Sequence, residues 1–272
     1  MAGHLYIVGT PIGNTQDITI RAIEVLKSVD LIACEDTRHT KILLHKHGIK
    51  TPTTSYHKFN IKAKTGYIID KIKQGRKVAL VSDAGMPGIS DPGQELVKAA
   101  ASENIKVEVV PGASALISAL SVSGLKTDRF AFEGFLPVKP SSRRELLQFL
   151  ANEERTIVLY EAPHRIVRTL EDLKENFGDR NICIARELTK KFEEVSRGKI
   201  AELIKKFSSS KPRGEFVIVI EGEKSVEKVK VDPELLVKDL VESGISKSNA
   251  VKIVAKRLKV SKNELYRTTL ND

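Results

Sequence analysis

The chain has 272 residues, 41% of them hydrophobic, and a formal net charge of +10 from 45 Lys+Arg against 35 Asp+Glu. That length gives room for two modest domains, each with its own core, and no apolar run reaches the roughly 18 residues of a membrane span. The positive excess favours a polyanionic partner, nucleic acid first. Cys34 and Cys183 sit in separate apolar runs and read as buried free thiols, not as a disulfide framework. The N-terminus enters a strand pattern at once, with no signal-peptide layout, so a cytoplasmic protein is expected.

Strand and helix patterns alternate along residues 4–121. "HLYIVG" reads as a buried strand, "ITIRAIEVLKSV" as an amphipathic helix, and "DLIAC", "KVALVS" and "KVEVV" as further strands. Such alternation predicts a mostly parallel sheet, with ligands beyond the carboxyl ends of its strands. From residue 124 the pattern changes. "RFAFEGFL", "TIVLYE", "NICIARE", "FEEVSRG" and "EFVIVIEG" give five strand-like runs, with helices near 143–151 and 164–177. That predicts a second α/β domain over 124–222 with a mixed sheet. A charged linker, "EKSVEKVKV", opens a third piece over 223–272. Asp232-Pro233 begins one helix there, and Ser261 with Glu264 forms a capping box for another. Residues 224–272 hold eleven basic and seven acidic side chains, a small basic helical module.

Three loops rich in small residues lie at predicted strand ends. "VGTPIGNTQDIT" has neither the Gly-Lys-Ser/Thr of a phosphate loop nor the G-x-G-x-x-G of a dinucleotide site. Asp17 is expected to cap the helix that follows. In "SDAGMPGISDPGQ", Asp91-Pro92-Gly93-Gln94 matches a helix start, which assigns Asp91 a structural role. Residues 83–90 are not needed for that start. Gly85 and Gly88 let main chain approach a ligand, Pro87 stiffens the loop, and Asp83 ends a central strand. "VVPGASALISALSVSG" repeats the logic, with Ser114 capping a helix toward the same cleft. Together the three loops suggest a pocket for a flat, polar, adenosine-like ligand.

The strings "TPIGNTQDIT", "CEDTR", "SDAGMPGISDPG", "VPGASA", "FEGFLP", "YEAPHRI" and "ARELTKKFEE", in that order over residues 4–222, carry a resemblance. Here the chain resembles the tetrapyrrole methylase superfamily of S-adenosylmethionine-dependent methyltransferases, in its branch acting on small-subunit ribosomal RNA. The resemblance implies two α/β domains with the methyl donor in the cleft between them, and a homodimer. It implies methylation of the ribose 2′-hydroxyl of a cytidine in the decoding region, with the assembled small subunit as substrate. Carried over by motif, Asp83, Gly85, Met86 and Ile89 would line the donor pocket, and Ser114 and Ala115 the next wall. Glu161, Ala162 and Pro163 would close it from the second domain, with Pro11 and Gly13 beside the methyl group.

A ribose hydroxyl is a weak acid, so a base or cation should assist its deprotonation. Strand-end polar residues are the candidates. Asn14 lies in the first loop. In "CEDTR", Asp36 reads as base and Arg38 as a ligand for RNA phosphate or hydroxyl, against the simpler reading of a capped helix start. RNA contacts are expected from Lys139, Arg143 and Arg144, beside a Ser142/Glu145 capping box, and from Lys190 and Lys191. In the tail, Lys252, Lys256 and Arg257 either grip RNA or flank an apolar stripe that packs on the body or on a second subunit. The histidines and cysteines have no metal-ligand spacing, so no metal is expected. Two rival readings share the fold: methylation of a small tetrapyrrole, and a non-catalytic RNA-binding factor.

Overall fold

The computed structural model describes residues 3–209, 211–223, 232–258 and 260–269. The chain divides into two compact units, 1–223 and 224–272. Residues 224–231, nearly all of the expected charged linker, lie outside the described residues.

The first half of the large unit runs β1 (His4–Val8), α1 (Ile20–Ser28), β2 (Leu31–Cys34), α2 (Thr37–Lys46), β3 (Thr53–Ser55), α3 (Ile61–Lys73), β4 (Lys77–Val81), α4 (Gln94–Ser102), β5 (Lys106–Val110) and α5 (Ala115–Val122). Its sheet has the order β3-β2-β4-β1-β5, and every pairing is parallel. Alternate residues of each strand point to opposite faces, and both faces are covered. Val8, Ile32, Cys34 and Val81 pack against Ala22 and Leu26 of α1. Leu5, Ala33, Val78 and Leu80 pack on the other face with Ile68 and Ile72 of α3 and Leu96 of α4. Each buried Val, Leu or Ile among these contributes about 1.5–3 kcal/mol.

The second half runs β6 (Phe130–Phe135), α6 (Pro140–Leu150), β7 (Thr156–Glu161), α7 (Ile166–Phe177), β8 (Asn181–Arg186), β9 (Glu194–Lys199), α8 (Ile200–Ser208) and β10 (Phe216–Ile220). Its sheet is mixed, ordered β6-β7-β10-β8-β9, with only β6 and β7 parallel. Helices α6, α7 and α8 bury one face. The other face, through Val158, Cys183, Ala185 and Val219, receives Leu116, Ala119 and Leu120 of α5 together with Ile12. The last helix of the first half is thus packed on the second sheet and ties the halves together.

Several helix starts differ from the sequence reading. Thr19, not Asp17, caps α1, its Oγ1 accepting the Ala22 N–H at 3.1 Å. Asp17 ends a short 3-10 turn instead. Helix α4 starts at Gln94 with Gly93 at the N-cap, so Asp91 caps nothing. Helix α6 begins at Pro140 behind Lys139, which places Ser142 inside the helix and removes the expected Ser142/Glu145 box. Ser114 does cap α5, accepting from Ile117 N.

The small unit holds α9 (Pro233–Glu242), α10 (Lys247–Leu258) and α11 (Lys262–Thr268). Asp232 caps α9 with Pro233 in its first turn, and Ser261 caps α11. The apolar stripe of α10 is buried inside this unit. Val251, Val254 and Ala255 close a core of their own with Val237 and Leu265.

Candidate active site

The loops after β1, β2, β4 and β5 all open at the carboxyl edge of the parallel sheet, where helix N-termini and strand ends converge. They are bound to one another. Thr10 and Gly85 exchange backbone hydrogen bonds of 2.9 and 3.1 Å, joining the first loop to the third. Gly85 meets this bridge with φ +83°, a conformation that favours glycine. Thr10 Oγ1 also donates to Ser82 O at 3.1 Å. Asp83 Oδ1 accepts the Asp36 N–H at 3.1 Å and so links the third loop to the second.

A cavity of about 320 Å³ lies between this edge and the second sheet. Gly85, Met86, Ile89, Ser114 and Ala115 form its first-sheet wall, and Glu161, Ala162 and Pro163 close it from the loop after β7. The other expected donor residues are elsewhere. Pro11, Gly13 and Asp83 line a neighbouring cavity of about 230 Å³, together with His39 and Lys190. Ile12, Ala84 and Glu215 belong to both walls, so the cavities adjoin.

Sequence reasoning missed part of the larger cavity: Ile12, Asp91, Phe135, Tyr160, Leu188 and Phe216. Burial pushes the Asp91 carboxyl up to about 6, and the charges of Glu35 and Asp83 push the same way. Burial and then Asp83 also raise Glu35. Three carboxylates therefore crowd the strand-end edge, Asp91 on the wall of the larger cavity and Asp83 on that of the smaller. The signal for Asp91 was present in its loop, but the helix-start pattern absorbed it.

The side chain of Glu161 is wholly buried and saturated with partners. It accepts the Thr169 hydroxyl at 2.5 Å and the Ala162 N–H at 2.8 Å, and pairs with Arg165 Nε at 3.3 Å. Arg143 continues this network, donating to Thr169 Oγ1 at 2.8 Å and to Asp172 at 2.6 Å. Only 6% of Arg143 is exposed, which overturns its expected role as an RNA contact. Its guanidinium faces inward because the α6–α7 interface supplies the hydroxyl and carboxylate it needs.

Asp36 is the N-cap of α2, accepting Arg38 N at 2.8 Å and the Arg38 guanidinium at 2.8 and 3.2 Å. These bonds hold its carboxyl well below the usual carboxylate range, so it is a poor base, contrary to expectation. Arg38 remains highly exposed apart from this pair. Asn14 spends its side chain capping the 3-10 turn, accepting Gln16 N at 3.0 Å, while its N–H reaches Thr189 Oγ1 at 2.9 Å. Beside it, a Cβ on Gly13 would stand 2.5 Å from Lys190 Cγ and 2.9 Å from Thr189 Oγ1. Lys190 is not free for RNA in this arrangement. It donates to Glu187 at 3.0 Å and to Glu215 at 2.9 Å. Lys139, Arg144 and Lys191 are exposed, as are Lys252, Lys256 and Arg257 in the small unit. Among the described residues no group of His, Cys, Asp and Glu is arranged to hold a metal ion. Nor is any described helix long and apolar enough to cross a membrane.

Two sheets joined through α5, with a cavity where the strand-end loops face the second half, define a known class of protein. The sequence profile of the tetrapyrrole (corrin/porphyrin) methylases matches residues 4–204. The chain belongs to this family. Solved structures agree on the fold. Uroporphyrin-III-C-methyltransferase from Thermus thermophilus is 22% identical with a TM-score of 0.58, covering 80% of this chain and 94% of that one. The same enzyme complexed with S-adenyl homocysteine is 19% identical, with a TM-score of 0.57 over 80% and 97% of the two chains.

The relatives in sequence are more specific. Ribosomal RNA small subunit methyltransferase I of Synechocystis sp. (strain ATCC 27184 / PCC 6803 / Kazusa) is 49% identical over 98% of both chains. Its namesake in Thermotoga maritima is 52% identical over 81% of this chain and 99% of its own. Within the family, the chain belongs with these ribosomal RNA small subunit methyltransferases I.

Proposed function

We propose that the protein transfers a methyl group from S-adenosylmethionine to the 2′-hydroxyl of a cytidine ribose in the decoding region of small-subunit ribosomal RNA. The observation that carries this reading is the junction of two cavities through Ile12, Ala84 and Glu215. One cavity serves a donor and the other an acceptor, with the reacting atoms at the shared wall.

The larger cavity suits the donor. Small residues at Gly85, Ser114, Ala115 and Ala162 admit a nucleoside close to main chain, and Phe135 and Tyr160 offer apolar surface to a flat base. Asp91 and Glu215 on its wall complement a sulfonium charge. Bound there, S-adenosylmethionine supplies an electrophilic methyl group. The chain supplies orientation, since in-line geometry gives much of the acceleration.

In the smaller cavity Pro11, Gly13 and Asp83 face the acceptor. The Asp36 N–H fixes one oxygen of Asp83, so the carboxylate is held where it can orient a hydroxyl and take its proton. Lys190, anchored by Glu187 and Glu215, stands on the same wall as a fixed donor. Lys139, Arg144 and Lys191, with Lys252, Lys256 and Arg257 of the small unit, are the exposed cations assigned to phosphate. In this reading the protein works in the cytoplasm on the assembled small subunit, as a homodimer. Exposed Ile20 of α1 and Val109 of the neighbouring edge strand β5 support the pairing of two copies.

The test is methyl incorporation from labelled S-adenosylmethionine into small subunits, stripped ribosomal RNA and tetrapyrroles offered in parallel, followed by mapping of the label. Label on a ribose 2′-oxygen of small-subunit RNA supports the reading. Label on a tetrapyrrole alone, or on a base, overturns it.

A further inference from the structure

A groove of about 970 Å³ lies outside both cavities, between α4 and the turn at 57–60 with the first residues of α3. Its walls carry Phe59 and three lysines, Lys58, Lys62 and Lys98, against one carboxylate, Glu95. Phe59 is 84% exposed, and Lys58 Nζ sits 4.9 Å from its ring centroid. This exposure is built in. Asn60 pins the turn, accepting the His57 N–H at 2.8 Å and donating to Ser55 O at 3.3 Å, while the ring points away from the core. The ion pairs of this half use Arg38, Lys73, Arg76 and Lys106. Lys58, Lys62 and Lys98 enter no ion pair among the described residues, although Lys58 lies over the Phe59 ring.

The turn that opens the groove lies on the same sheet edge as the candidate active site. The turn follows β3, which pairs with β2, which pairs with β4. It therefore stands on the same carboxyl edge as Asp36 and Asp83, about two strand spacings (~10 Å) away. Lys58 and His57 face the Glu35 carboxylate at the end of β2 and act on its charge.

An exposed aromatic ring in a groove lined by three lysines outside any ion pair, on the edge that carries the candidate site, has the chemistry of a platform for an unpaired strand. Every base has a face that can stack on Phe59, and the lysines neutralise the phosphates on either side. We propose that this groove binds single-stranded RNA flanking the target nucleotide, with Phe59 stacking a base and Lys58, Lys62 and Lys98 contacting the backbone. The proposal rests on the RNA-methylation reading above. It adds a contact that the sequence reading did not include.

The experiment compares the wild-type protein, Phe59→Ala, Phe59→Tyr and the triple variant Lys58→Ala/Lys62→Ala/Lys98→Ala. Three readouts are taken: S-adenosylmethionine affinity, affinity for a fluorescein-labelled single-stranded oligoribonucleotide across a salt series, and methyl transfer to small subunits. Unchanged donor affinity shows that each variant is folded. The expected result is a loss of about ten-fold in RNA affinity for Phe59→Ala, with recovery in Phe59→Tyr. The triple variant flattens the slope of log affinity against log salt by about 2. RNA affinity and salt slope equal to wild type in both the Phe59→Ala and triple variants overturn the proposal and leave the methylation reading standing. So does unchanged RNA affinity with activity lost only on assembled subunits, which assigns the groove to a ribosomal protein. Wild-type protein that neither binds nor methylates RNA overturns both.

Discussion

Asp83 Oδ1 holds the backbone N–H of Asp36 at 3.1 Å, so the end of β4 fixes the first residue before α2. The two strands are register neighbours, with Cys34 opposite Val81, which is why the next residues can meet. Asp83→Asn can accept the same hydrogen bond but not a proton from a hydroxyl. We expect Asp83→Asn to keep near-normal thermal stability and to lose about 100-fold in methyl transfer. Asp83→Ala should lose as much activity and also about 1 kcal/mol of stability. Single-turnover kinetics and denaturant unfolding of the two variants separate the roles.

Asp91 should couple pH to stability and, in the proposed reaction, to donor binding. Its carboxyl holds a proton up to about 6 in the folded protein, against an ordinary value of 3.8. The folded state therefore binds that proton more tightly, and stability should fall as pH rises from about 4 to about 6, then level off. Asp91→Asn should remove this fall and be more stable than wild type above that window, by up to about 2 kcal/mol after allowance for partial exposure. A sulfonium donor is attracted to the ionised form. Donor affinity measured by calorimetry should thus rise through about pH 6 in the wild type and stay flat in Asp91→Asn.

Arg143 and Arg144 are adjacent in sequence and opposite in role. Truncating Arg143 to Ala strands the Asp172 carboxylate and unties Thr169 from its second partner, at an expected cost of about 3–5 kcal/mol. Arg144→Ala should change stability by less than about 0.5 kcal/mol and lower RNA affinity at low salt. Chemical denaturation and RNA binding of the pair check this inversion.

Asp36 offers a control on the chemistry. As an N-cap it can be replaced by Asn with little loss of stability, whereas Ala should cost about 1 kcal/mol. Because its carboxyl is too weak a base, Asp36→Asn should methylate within a few-fold of wild type. A loss near 100-fold would restore it as the proton acceptor.

The central strands of both sheets, such as β4 and β10, were legible because strands buried on both faces read as apolar runs. β3 was not, since Thr53–Ser55 is a three-residue, half-exposed edge with no apolar signature. Asp91 misled for a physical reason. Asp-Pro-Gly-Gln carries every mark of a helix start, but Ser90 at φ +63° turns the chain so that Gly93 takes the cap and Asp91 meets the cleft. Motif order located the cleft residues as a set, yet their division between two cavities depends on tertiary placement alone. Arg143 shows the same limit. A basic run predicts exposed charge, and only the arrival of Thr169 and Asp172 from another helix turns one member inward.

Gly13 has a wider meaning than its place on a cavity wall. Where its first loop meets Leu188, Thr189 and Lys190, the two halves of the large unit touch with no room for one more carbon. The separation of the halves at this point is dimensioned by an atom that is missing. A methyl group there would act as a wedge between the two adjoining cavities, since Leu188 lines the larger and Gly13 and Lys190 the smaller. In the proposed reaction, the alignment of donor and acceptor would depend on the clearance at this seam.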